Sequence, residues 1–379
     1  MDSLRPLYLD HNATAPLLPE VAEALRRELG EGGANPSSLH ASGTRARRRL
    51  DDARAAVAEL LEAPAEELVF TSGGTEANHL ALAGSLLPRP QGAHLVVSAI
   101  EHSSTLAAAR RLESLGARVT WVEPRRDGVV PVERFLAALE PQTRLVACMA
   151  ANNESGVVQP FAELGAALAP RAIALHVDAV QWVGRQPLAA ATSGATTLSC
   201  SAHKLGGPPG VGALWVRRGT RLEPWIGGGR QERGRRGGTE ALLLIVGFAA
   251  AARAALRRAG DGGRAARDAF EQALRRAGAP LTWIGSETPR LPNTSLFCAD
   301  GRDGATLVRE LSQRGVEVAS GSACQAGASE PSHVLRAMGF PAAQARAALR
   351  FSFGASDCAE VGALAAERLL ACLAEPGRR

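Results

Sequence analysis

The sequence predicts an α/β protein with a mainly parallel, seven-stranded sheet, helices on both of its faces and a smaller α+β domain. Three observations carry this expectation. Seven short apolar runs punctuate residues 67–216, stretches of helical period rich in Ala, Leu and Arg separate many of them, and the alternation loosens after Asp261–Gly263. Alternating strand and helix signals favour parallel strands joined by crossover helices. Ligands of such sheets sit beyond the carboxyl ends of the strands.

Taken in order, the strand candidates are 67–71, 94–98, 118–122, 144–149, 172–178, 196–201 and 211–216. Segments 75–87, 104–115 and 132–139 repeat apolar residues at helical spacing between them. The run 241–252 is too short to cross a bilayer and reads as a buried helix. Asp261–Gly263 reads as a hinge, after which strands are expected near 293–298 and 348–353. The division expected is a large domain over 16–255 and a small domain formed by 1–15 with 256–379.

Composition bounds the function. With 379 residues, 46% hydrophobic and 21% charged, the chain suits two globular domains. Its first residues lack an apolar core behind a basic start, and no run approaches the roughly 20 apolar residues of a membrane span, so a cytoplasmic location is expected. The six cysteines stand apart without a C-x-x-C pair, which suggests neither a disulfide framework nor a zinc site. A net charge of +5 raises the question of nucleic acid. The arginines lie in short scattered groups and aromatics make up only 4% of the chain, so no stacking surface and no direct nucleic-acid partner is expected.

Of the 43 Lys plus Arg residues, one is lysine: Lys204. A chain that uses arginine wherever a positive charge suffices keeps lysine where arginine cannot serve. Lysine can lose its proton and form a Schiff base; arginine cannot. Around it, three segments converge on one chemistry. FTSGGTEAN (70–78) leads from an apolar run through two glycines into a helix at Thr75, whose free N–H groups suit a phosphate. HVDAVQ (176–181) ends an apolar run on Asp178, a carboxylate able to hold a pyridinium proton, with the amide of Gln181 three residues on. SAHKLGGPPGVGAL (201–214) places Ser201, His203 and Lys204 on a strand-to-loop turn. Each segment alone fits ordinary turn and cap chemistry; together they fit a pyridoxal-phosphate pocket. Arg350 sits in an apolar run, where a lone guanidinium needs an anion. Cys324 lies in SGSACQAGASEPS, a run of small residues that scarcely packs as a core and so leaves the thiol exposed.

These segments, with YLDHNATAPLLPEV (8–21), NPSSLHASG (35–43), EHSS (101–104), NNESGVVQP (152–160), GGGRQERGRRGGT (227–239) and LRFSFG (349–354), resemble the cysteine desulfurases nearly end to end and in order. The resemblance implies the fold type I of pyridoxal-phosphate-dependent transferases, a homodimer, L-cysteine as substrate and a sulfur-acceptor protein such as an iron–sulfur scaffold. It gives Lys204 the Schiff base, Asp178 the pyridine nitrogen, Gln181 the ring hydroxyl and His102 the ring face. Thr75, Ser201 and His203 match phosphate donors, and Thr239 resembles a threonine that reaches the other subunit's cofactor phosphate. Asn153 and Arg350 match the groups that hold the substrate carboxylate. Cys324 matches the nucleophile that becomes a persulfide, on a mobile loop spanning about 320–333 similar to that of the long-loop branch. The implied activity is conversion of cysteine to alanine with sulfur passed on for iron–sulfur clusters or other sulfur compounds. A related C–S lyase, selenocysteine lyase or aminotransferase on the same scaffold is the alternative.

Overall fold

The computed structural model describes residues 6–87, 89–258, 261–321 and 331–374. In chain order its strands are β1 (Leu7–Tyr8), β2 (Leu68–Thr71), β3 (His94–Ser98), β4 (Arg118–Val122), β5 (Thr143–Ala147), β6 (Ala174–Asp178), β7 (Thr197–Ser201), β8 (Gly212–Val216), β9 (Leu281–Ile284), β10 (Thr294–Ala299), β11 (Val316–Glu317), β12 (Ala319–Ser320) and β13 (Ala348–Ser352). The α-helices are α1 (Pro19–Gly30), α2 (Ala41–Leu60), α3 (Gly74–Leu86), α4 (Ser103–Ser114), α5 (Val132–Ala137), α6 (Phe161–Leu168), α7 (Leu242–Arg257), α8 (Arg264–Arg276), α9 (Gly304–Gln313), α10 (His333–Ala337), α11 (Ala342–Arg346) and α12 (Ala359–Ala374).

The main sheet has seven strands in the order β2-β8-β7-β6-β5-β3-β4. Six run one way; β8 alone opposes both its neighbours. All seven are the apolar runs expected from the sequence. Successive residues alternate between two cores, as the strand pleat requires. Val96, Ala213 and Trp215 join the core under α2, α6 and α7, while Leu95, Val97, Leu214 and Val216 join the core under α3 and α4. Burial on both faces explains why the strands read as continuous apolar runs.

A second, antiparallel sheet, β12-β13-β10-β9, packs with α8, α9 and α12 around Phe270, Phe297, Phe351 and Phe353. The start of the chain belongs with this layer: β1 pairs with β11, and Asp10 bridges to Ser352. That return brings His11, Asn12 and Ala13 against the carboxyl ends of the main sheet, where Ala15 N–H bonds His203 O.

Candidate active site

Five strands of the main sheet deliver residues to one 290 Å³ cavity at their carboxyl ends, and β13 supplies Arg350 from the second sheet. Asn12, Thr75, His102, Asn153, Asp178, Gln181, Ser201, His203, Lys204 and Arg350 all line it. Two of the predicted site residues are not among these. Thr239 is exposed and not part of the cavity wall, and Cys324 lies outside the described residues.

Asp178 closes β6 and is buried. Its Oδ2 accepts from Asn78 Nδ2 at 2.7 Å and its Oδ1 from Val180 N–H at 3.0 Å. Asn78 lies on α3, one turn beyond Thr75, and is itself oriented by Ser199 and His176. Burial lowers the His176 pKa to about 4, so its ring is neutral when it pairs with Asn78. Gln181 is oriented from both ends. Its Oε1 accepts from Arg185 Nη1 at 2.8 Å, so its NH₂ faces inward and donates to Asn12 O at 3.0 Å, with a second N–H to spare.

Lys204 follows β7 on a short turn, and its Nζ donates to Asn12 O and Ala13 O at 2.7 and 2.6 Å. His102 caps α4 through Nδ1, which accepts Ser104 N–H. Burial lowers the His102 pKa, with Lys204 adding to the effect and Asp178 opposing it. For His203, burial followed by Lys204 lowers it to about 4. Both rings are therefore uncharged near neutrality.

One end of the cavity is built largely from backbone. Gly73 adopts φ +153°, and a Cβ on Gly74 would meet Val180 Cγ2 at 2.8 Å, so only glycine lets the chain turn this close to Val180. No side chain caps α3, which leaves its first N–H groups directed at the cavity end lined by Thr75 and Ser201. Arg236 of the Gly-rich loop is anchored here through Glu76 at 3.0 Å.

At the opposite end Arg350 is 2% exposed. Its Nη2 pairs with Asp10 at 2.7 Å and its Nη1 donates to Asn153 O at 3.0 Å, while Nε has no partner among the described residues. Asn153 Oδ1 is likewise buried and unpartnered. Buried polar atoms without partners are costly, and two at one cavity end mark a place for a polar ligand. Next to Asn153, the Glu154 carboxyl is raised to about 7 by burial, with Ser332 and Arg350 holding it down.

Sequence reasoning assigned no role to Asn12, Asn78, Glu101, Glu154 or Arg185. All but Arg185 stand in motifs already singled out. What the sequence lacks is the tertiary pairing that gives them meaning. Asn78 carried one usable signal, its three-residue offset from Thr75 on a helix face.

Burial raises the thiol pKa of Cys148 well above normal and those of Cys200 and Cys298 to about 12, and Cys372 is buried. Cys358 is exposed before α12 and lines no part of the cavity. Among the described residues no cluster of His, Cys, Asp and Glu could hold a metal ion, and no helix is long and apolar enough to cross a membrane.

The model of the class-V aminotransferase family matches residues 7–363. A cysteine desulfurase of Cereibacter sphaeroides is 46% identical over 351 residues, covering 91% of this chain and 90% of that protein. Cysteine desulfurase IscS of Dictyoglomus turgidum is 38% identical over 354 residues, covering 92% and 90%. Among solved structures, a NifS-like protein superposes with a TM-score of 0.89 at 31% identity, covering 97% of this chain and 99% of that one. SspA in complex with cysteine superposes at 0.82 with 32% identity, covering 92% and 99%. With that coverage and identity, and with the cavity assembled as described, the chain belongs to the class-V aminotransferase family and, within it, to the cysteine desulfurases.

Proposed function

We propose that this protein is a pyridoxal-phosphate-dependent cysteine desulfurase that converts L-cysteine to L-alanine and leaves the sulfur as a persulfide on Cys324. The observation that carries the reading is the polarity of one cavity. Asp178 and Lys204 stand at its base, glycine backbone and a helix start lie at one end, and a buried Arg350 with an unpartnered Nε lies at the other. That donor set fits the cofactor. Asp178 suits a protonated pyridine nitrogen, Gln181 a ring hydroxyl and Lys204 the aldehyde carbon; Thr75, Ser201, His203 and the α3 N–H groups suit a phosphate, and His102 the ring face. Bound there, pyridoxal phosphate supplies an electron sink for the bonds broken at the substrate's α and β carbons.

The residues of the chain do the rest. Arg350 and Asn153 hold the substrate carboxylate, a role the planar guanidinium serves better than an ammonium. Lys204 Nζ is the amine placed to take the Cα proton and to hold it for return. Cys324 as thiolate attacks the substrate sulfur: a sulfur–sulfur bond forms, the carbon–sulfur bond breaks with its electron pair left on carbon, Cβ gains a proton, and the proton taken from Cα is returned there to leave alanine. A C–S lyase or aminotransferase on this scaffold would need no such thiol. The persulfide passes to a sulfur-accepting protein, for iron–sulfur clusters or other sulfur compounds.

Borohydride reduction of the purified holoenzyme followed by peptide mapping should place the cofactor on Lys204, and Lys204→Ala should carry no label. A wild type that takes up no label after incubation with pyridoxal phosphate would sink the cofactor assignment.

A further inference from the structure

We infer that Glu154 is a positioning residue: its buried carboxyl ties Ser332 to the turn that presents Asn153 beside Arg350, and so fixes where the chain returns from the stretch bearing Cys324. The inference deepens the desulfurase reading and rests on it for the role of Cys324.

The geometry begins with an Asx turn after β5. Asn152 Oδ1 accepts the N–H groups of Glu154 and Ser155, both at 2.9 Å, and Asn152 Nδ2 donates to Ile100 O. This rigid turn fixes Asn153 and Glu154 together. Asn153 faces the cavity and lends its carbonyl to Arg350. Glu154 turns toward the second sheet, where its Oε2 accepts the Ser332 hydroxyl at 2.5 Å. Ser332 is 1% exposed and also caps α10 by accepting Leu335 N–H at 3.1 Å.

The outgoing end of the same stretch lies against the same carboxyl. Gly321 follows β12, and its N–H bonds Ala348 O at 3.1 Å. A Cβ there would stand 2.8 Å from Ala348 Cβ, so glycine is required beside β13, and 3.6 Å from Glu154 Oε2, an ordinary contact distance. Gly321 and Ser332, which flank residues 322–330, thus converge on one carboxyl that shares a turn with the substrate-facing Asn153. A buried, well-aligned hydrogen bond of this kind orients both partners. Of this chain's own groups, the Cα-proton step calls on Lys204 and the carboxylate clamp, whereas sulfur transfer also needs Cys324 in register with that clamp.

The test compares Glu154→Ala, Glu154→Gln, Ser332→Ala and the Glu154→Ala/Ser332→Ala pair in the cofactor-loaded enzyme. Two quantities are read: the alkylation rate of Cys324 without cysteine, by mass spectrometry, and kcat and KM for alanine formation. Each alanine variant should shift Cys324 alkylation and lower kcat about tenfold, with KM changed less than about threefold, which is the size one lost buried hydrogen bond supplies. The double variant should be no worse than the worse single, because both remove one interaction. Glu154→Gln keeps an acceptor oxygen and should recover most of the loss. Additive single effects, a loss carried by KM, or a Gln variant as poor as the Ala variant would overturn the inference. Failure of the desulfurase reading looks different: wild type would make no alanine, while the alkylation cycle would still decide the tether.

Discussion

Glu101 shows how far single residues depart from their usual chemistry here. Its carboxyl is fully buried, with Oε1 accepting Met149 N–H at 2.6 Å and Oε2 unpartnered among the described residues. Burial, then the nearby Asp178, pushes its pKa well above the ordinary 4.5. A raised folded-state pKa stabilises the protein below the unfolded value, and that contribution is lost as pH rises through the folded value. Glu101→Gln cannot ionise and keeps the acceptor for Met149. Its melting temperature relative to wild type should therefore climb as pH rises above the ordinary carboxyl value; a pH-independent difference in thermal scans would refute the assignment. At this scale the sequence was legible where chemistry is unusual. Lys204 stands out as a lone lysine and Asp178 as a charge closing an apolar run. Asn12 and Asn78 do not stand out, because an asparagine acquires its role only from the partner the fold supplies.

Among the elements, the loop 227–239 departs furthest from the plain reading of its residues. GGGRQERGRRGGT reads most simply as a solvated basic loop. Yet Glu232, held at φ +46°, is buried and takes a bidentate pair from Arg54 at 2.6 and 2.8 Å, with Phe70 N–H as a third donor. Glu232→Ala leaves the Arg54 guanidinium buried and unpaired, which should destabilise the protein by about 3–5 kcal/mol in urea unfolding. A loss under about 1 kcal/mol would mean that Arg54 finds water instead. Strand positions were legible for a related reason, since both faces of the main sheet are buried and each strand is a continuous apolar run. Strand direction was not: β8 is as apolar as its neighbours, and an apolar run carries no sign of which way it points. The second sheet was only partly legible, because β9 is half-exposed and β11 and β12 are two residues each.

For the whole molecule, Thr239 is exposed at the end of the anchored loop, with Trp225 and Ile226, each 40% exposed, just before the loop begins. This supports the proposal that the active form is a homodimer in which Thr239 serves the neighbouring cavity, across large units of residues 16–255. Sedimentation should give a dimer, and Thr239→Ala should retain the cofactor less well; a fully active monomer would contradict it. The larger claim is that Lys204 chemistry and the Cys324 thiol act on one substrate. A serine hydroxyl is a far weaker nucleophile toward sulfur, so Cys324→Ser should still bind cysteine but lose alanine formation. The most direct measurement is mass spectrometry of the holoenzyme after brief exposure to cysteine without reductant, run beside that variant. One added sulfur is expected on the Cys324 peptide, retained when Cys358 is replaced. Sulfur found elsewhere, or alanine and sulfide made by Cys324→Ser at the wild-type rate, would contradict it.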